Sequence, residues 1–193
     1  IIGSKPGEFI ADRNSIVRVW SDHAYWCFRT VALYLEQTGD YDFLLEEKPY
    51  FRDRILSRGE VLEENTTETE RNTLKTAQGQ EYFGTVIEHL MLQNLAQFYE
   101  VGEHNHMRLR GADWNDALDM ASRRGETVAF TAAYSGNFKE MAELFLVLYE
   151  RGIHSLKIFK ELKMLLCDDE SIYEDQEEKR RILRKYCEIC QPE

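Results

Sequence analysis

Residues 111–119 hold the densest set of reactive side chains in this chain. They read Gly111-Ala112-Asp113-Trp114-Asn115-Asp116-Ala117-Leu118-Asp119, with three carboxylates, one carboxamide and one indole. Carboxylates exchange protons and accept hydrogen bonds from hydroxyls, and an indole offers a flat apolar face. A sugar ring asks for both, because its C–H face is apolar and its rim is hydroxylic. The plainer alternative is a helix start, in which one Asp caps free N–H groups and the Trp packs inward.

Two further polar clusters stand beside helical patterns. One is Ser21-Asp22-His23-Ala24-Tyr25-Trp26. The other is Glu88-His89, set inside an apolar run. A buried charge is costly unless paired, so Glu88 is either functional or partnered by an arginine elsewhere in the chain. His104 and His106 precede the 111–119 run and read as solvated loop histidines rather than metal ligands. Cys187 and Cys190 form a CxxC. A zinc site would need two more ligands, and none lies nearby, so they read as helical cysteines one turn apart. Cys27 and Cys167 read as buried thiols. No metal site is expected.

The elements that must position these groups are helical. Residues 22–38 carry apolar side chains at three- and four-residue spacing, closed by Gly39 as a C-cap. Residues 40–56 read as a loop and then a helix. Residues 59–76 are rich in Glu and Thr without periodicity and read as a loop. Helices follow over 79–100, 126–151 and 154–167. Ser171 with Glu174 resembles a capping box opening a last helix to about residue 190. The chain is therefore expected to be all-α, built of helical hairpins. In a toroid of such hairpins the N-terminal ends of the inner helices gather at one mouth, which would bring the three clusters together.

Composition narrows the partners. The 193 residues are 43 % hydrophobic and 12 % aromatic, enough for a core. A formal net charge of −11 argues against nucleic acid or an anionic membrane surface as a partner. No apolar run approaches the roughly 20 residues that span a bilayer, and the first residues do not read as a signal peptide, so none is expected. A cytoplasmic location is expected. The first residue is Ile1 rather than Met, and the chain is expected to be part of a longer protein.

Several motifs together resemble glycoside hydrolase family 94, the inverting phosphorylases of β-linked sugars. They are Ser21-Asp22-His23-Ala24-Tyr25-Trp26, Thr38-Gly39-Asp40-Tyr41, Glu88-His89, Gly111-Ala112-Asp113-Trp114-Asn115-Asp116 and Gly125-Glu126-Thr127-Val128, in the same order. The resemblance covers about residues 15–150. It implies that residues 1–193 are a fragment of an (α/α)6 catalytic barrel. It implies Asp116 as general acid, with Asp113 and Trp114 lining the sugar site. Asp22 and Glu88 are the further substrate-binding candidates. Implied partners are an oligosaccharide and inorganic phosphate as co-substrate, with no other cofactor, and a homodimer is the oligomer to expect. Ala112 and Ala117-Leu118-Asp119 depart from the cellobiose type toward the oligoglucan type. The resemblance places phosphate-binding residues after residue 193 and an arginine–aspartate sugar-gripping motif before residue 1, so the fragment alone is expected to be inactive.

The implied chemistry is self-consistent. Inverting hydrolysis needs an acid for the leaving oxygen and a base to activate water. Phosphate attacks already ionised, so one carboxylic acid suffices. Asp116 would need a raised pKa, and repulsion from Asp113 and Asp119 would act in that direction. Two rivals stand beside this reading. One is a non-catalytic helical scaffold or carbohydrate-binding module. The other is an inverting (α/α)6 glycoside hydrolase, for which Glu88 is the in-chain candidate base.

Overall fold

A computed structural model of the chain describes residues 21–50, 55–56, 61–62, 73–110, 121 and 123–190. These residues are mostly helical, with a few short strands. Helix α1 spans His23–Thr38 and ends where Gly39 turns left-handed at φ 66°, donating its N–H to Leu35 O at 2.8 Å. Only a residue without Cβ takes that conformation readily. A 3-10 turn, Tyr41–Leu45, follows; Asp40 caps it and Leu44 is completely buried beneath it.

The chain then forms β1 (Glu47–Pro49), which pairs antiparallel with β4 (Phe83–Thr85) in the register Glu47 to Thr85. Between them β2 (Ile55–Leu56) pairs with β3 (Val61–Leu62). The helix expected after residue 40 is thus a 3-10 turn and a strand over its described part. The expected loop at 59–76 contains β3, and its residues 63–72 lie outside the described residues.

Helix α2 spans Val86–Tyr99, with Thr85 Oγ1 accepting from Glu88 N–H at 3.3 Å. It starts later than its apolar pattern suggests, because residues 83–85 are held in the β1–β4 ladder. Strand β5 (Met107–Arg108) pairs with β6 (Glu126–Thr127), and α3 (Val128–Glu150) opens on a Thr127 cap.

The helix expected over 154–167 does not form as such. Residues 153–159 are irregular, and only Lys160–Met164 make a 3-10 turn. The cause is packing. Ile153 and Leu156 pack on the core between α1, α2 and α3, whereas Ile158, Phe159, Leu162 and Leu165 pack on a second core. Within seven residues the segment passes from the first core to the second. In addition, the N–H of Phe159 goes to Glu88 Oε2 rather than to a helical carbonyl. The last helix, α4 (Gln176–Cys190), opens at Asp175, which accepts from Glu178 N–H at 2.9 Å. Ser171 and Glu174 instead lie in a preceding 3-10 turn capped by Asp169.

The first core joins Phe28 and Leu35 of α1, Ile87, Leu90 and Met91 of α2, and Met141 and Leu148 of α3. Burying each such side chain stabilises the fold by about 2 kcal/mol. The second core joins the far half of α2, through Ala96 and Tyr99, to Leu183 of α4. Asn94 and Asn137, both buried, bond side chain to side chain at 3.0 Å and tie α2 to α3.

The helices alternate in direction. Val86, at the start of α2, bonds to Glu46, which closes the 3-10 turn after α1. Val101, just after α2 ends, bridges to Met107, and Met107 packs with Ala24 of α1 and Tyr134 of α3. The Arg151 guanidinium, after α3 ends, lies 4.1 Å from the Tyr41 ring centroid. So α1 and α3 point one way and α2 the other.

Candidate functional site

Helix direction divides the sequence-derived candidates between two ends of the molecule. Asp22 sits at the N-terminal end of α1. Beside it, Tyr25 N–H donates to Tyr134 Oη at 2.9 Å, and that hydroxyl donates to Ser21 O at 2.8 Å. Met107 N–H, on the same end, donates to Thr131 Oγ1 at 2.9 Å. Asp113, Trp114 and Asp116 lie outside the described residues, but the residues flanking their run do not. Arg110 precedes it and Ala121 follows it.

Those flanks are firmly held. Leu109 N–H donates to Gly125 O at 2.8 Å, and Gly125 N–H donates to Ala121 O at 2.6 Å. Arg110 adopts φ 52°, a conformation that a residue with a Cβ seldom takes. Its guanidinium bonds Glu100 Oε1 through Nε at 3.0 Å and Nη2 at 2.5 Å. Glu100 is almost fully buried, so this pair carries the weight of an enclosed charge. An open groove of about 570 Å³ borders Arg108, Arg110 and Glu100 on one side and Arg180 and Arg184 of α4 on the other.

The Gly125-Glu126-Thr127-Val128 motif acts here residue by residue. Gly125 clamps both flanks of the run. Glu126 accepts from His104 N–H at 2.8 Å and meets its ring at 3.2 Å, which orders the 102–106 loop. Thr127 caps α3. His104 is therefore tied to a carboxylate. Among the described residues no group of three or more His, Cys, Asp or Glu could hold a metal ion.

Asp22 does not behave as an ordinary cap. Its backbone is helical, and its side chain makes no capping bond. Oδ2 instead accepts from the indole Nε1 of Trp26 at 2.9 Å. Oδ1 and the neighbouring Ser21 Oγ are buried without a partner among the described residues. Native structures leave few such atoms, and each calls for an explanation.

Glu88 lies at the opposite end, in the first turn of α2. About 16 Å of helix axis, at 1.5 Å per residue, separate it from Tyr99. The sequence left open whether an arginine would pair with it, and the partners are two phenols and a backbone amide. Tyr50 Oη donates at 2.9 Å, Tyr82 Oη at 3.0 Å and Phe159 N–H at 2.9 Å. Glu88 is completely buried. Burial and the adjacent Glu88 charge push the Tyr50 phenol far above its usual range. For Tyr82, burial and the hydrogen bond to Glu88 do the same. His89 stacks on Tyr50 at 3.7 Å between centroids and bonds Lys48 O at 3.1 Å. A carbonyl only accepts, so His89 Nε2 carries the proton. Burial lowers the His89 pKa.

The structure therefore places Asp22 at the same end of the helices as the flanks of the 111–119 run and Glu88 at the opposite end. The three clusters do not gather at one mouth, because α2 runs against α1 and α3. Sequence reasoning missed the Glu100–Arg110 anchor, the Tyr134 bridge and the Asp22–Trp26 bond. Only the last left a signal, the four-residue spacing of Asp22 and Trp26 ahead of a helix.

No family model matches the chain. Among curated proteins it is similar to a solabiose phosphorylase from Paenibacillus borealis, with 30 % identity over 128 residues. The matched stretch is 65 % of this chain and 13 % of that protein. The chain thus spans a small part of the curated relative's length, and the likeness supports a phosphorylase-like relationship.

Proposed function

We propose that this chain is part of the catalytic barrel of a glycoside phosphorylase. The full-length protein cleaves a β-linked gluco-oligosaccharide with inorganic phosphate and releases an α-sugar 1-phosphate. Asp116 is the general acid that protonates the leaving oxygen. Asp113 and Trp114 line the sugar site, and Asp22 borders the same end of the barrel. The observation that carries this reading is the likeness to a phosphorylase over 128 residues. The alternating direction of α1, α2 and α3 agrees with a toroid in which inner helices are parallel and outer helices return.

Glu88 has a different part in this scheme. Its oxygens are engaged by three donors and enclosed, so it braces the start of α2 against the 47–50 strand end and the 153–159 crossing. A hydrolase would need a second carboxylate opposite Asp116. Glu88, one helix length from Arg110's partner Glu100, does not suit that task.

The test measures sugar 1-phosphate release by the full-length protein, with and without inorganic phosphate. Release that requires phosphate supports the proposal. Sugar release without phosphate points to the hydrolase, and no release from any β-linked glucoside points to the scaffold.

A further inference from the structure

We propose that Trp26 is a saccharide-stacking platform and that Asp22 is the residue that positions it. This rests on the reading that the protein handles oligosaccharides. It names a contact outside the 111–119 run.

Trp26 keeps 55 % of its surface exposed, at the end of the molecule where the flanks of that run are clamped. An exposed indole is ordinarily free to change rotamer. This one is fixed on two sides. Asp22 Oδ2 holds its Nε1–H at 2.9 Å, across the first turn of α1. The Tyr25 ring meets it edge to face, with centroids 4.9 Å apart. Tyr25 is held in turn by Phe130 and Tyr134 of α3, each with ring centroids 6.0 Å away. The result is a flat apolar face whose orientation is set before any ligand arrives, which lowers the entropy lost on binding.

Asp22 gives up its usual capping bond to hold the indole. Its other oxygen, and Ser21 Oγ, are buried without partners among the described residues. The exposed indole face itself matches the apolar C–H face of a pyranose. Tyr34 shows the contrast. It is also exposed and held by an aspartate, with its hydroxyl bonding Asp40 Oδ2 at 2.7 Å. It lies about 12 Å further along α1 and roughly 80° around it, away from the clamped flanks.

The test titrates the full-length protein with β-linked glucose disaccharides and trisaccharides by calorimetry. Trp26→Ala should weaken binding about ten-fold. Trp26→Phe, which keeps an aromatic face but has no N–H for Asp22 to hold, should bind between the parent and Trp26→Ala. Tyr34→Ala should bind as the parent does. In the parent, the Trp26 indole N–H resonance, assigned through Trp26→Phe, should shift as saccharide is added, which keeps the test open if the alanine variant does not fold. Parent-like affinity in a folded Trp26→Ala variant overturns the platform, as does an unmoved indole resonance or no saccharide binding by the parent. Trp26-dependent binding without sugar 1-phosphate release would keep the platform and remove the proposed phosphorolysis. Phosphorolysis with unchanged affinity in Trp26→Ala would do the reverse.

Discussion

Glu88 is a buried point of convergence in the fold. Two phenols and the Phe159 amide converge on one completely buried carboxylate. Glu88→Ala leaves those donors without an acceptor inside the protein, and each unsatisfied buried group costs free energy. We expect a loss of about 3 kcal/mol of stability, read as a lower urea midpoint with an unchanged slope. A variant as stable as the parent would contradict the bracing role. Its neighbour His89 gives a pH signature. Burial is the main cause that holds its pKa below the ordinary value of 6.5, against the opposing pull of the Lys48 carbonyl and the Glu88 charge. The unfolded chain therefore takes up a proton that the folded chain resists. This contribution to stability is intact above pH 6.5 and is lost as pH falls from there through the lowered folded pKa. Urea midpoints at about pH 5 and about pH 7.5 should differ more in the parent than in His89→Phe. Equal differences would remove His89 as the cause.

At the scale of elements, β4 and the start of α2 form one unit around Glu88. Gly84 is buried in the ladder opposite Lys48, and a Cβ there would overlap Glu88 Oε1 and lie 2.7 Å from the Tyr50 ring. Gly84→Ala should destabilise by about 2 kcal/mol through overpacking. A Gly84→Ala protein that melts with the parent would show that Glu88 moves aside freely. The same unit shows why parts of the fold were legible in the sequence and others were not. Helices α1 and α3 follow from three- and four-residue apolar spacing, with Gly39 marking the stop of the first. The irregular 153–159 segment was not legible, because its apolar residues pass from one core to another that the sequence does not separate. Likewise, β1 and β4 are three residues each and owe their pairing to contacts 38 or fewer residues apart, from Glu47 to Thr85, which no local pattern announces.

For the whole molecule, the direction of the helices decides which candidates can cooperate. Asp22 and the flanks of the 111–119 run share one end because α1 and α3 are parallel. Glu88 is excluded from that end because α2 returns. The sequence suggested each cluster separately and placed all three at helix starts. It could not show that one of those helices points the other way, since direction is set by how Leu44, Ile87 and Met107 pack and not by any motif. Asp116 itself rests on the motif and on the likeness to a phosphorylase. The measurement that tests the central claim most directly is phosphate-dependent release of sugar 1-phosphate by the full-length protein and by its Asp116→Asn variant. The account predicts release by the parent only when phosphate is present, and a loss of at least about 100-fold in kcat in the variant, as removal of a general acid entails. Near-parent phosphorolysis by Asp116→Asn would contradict it.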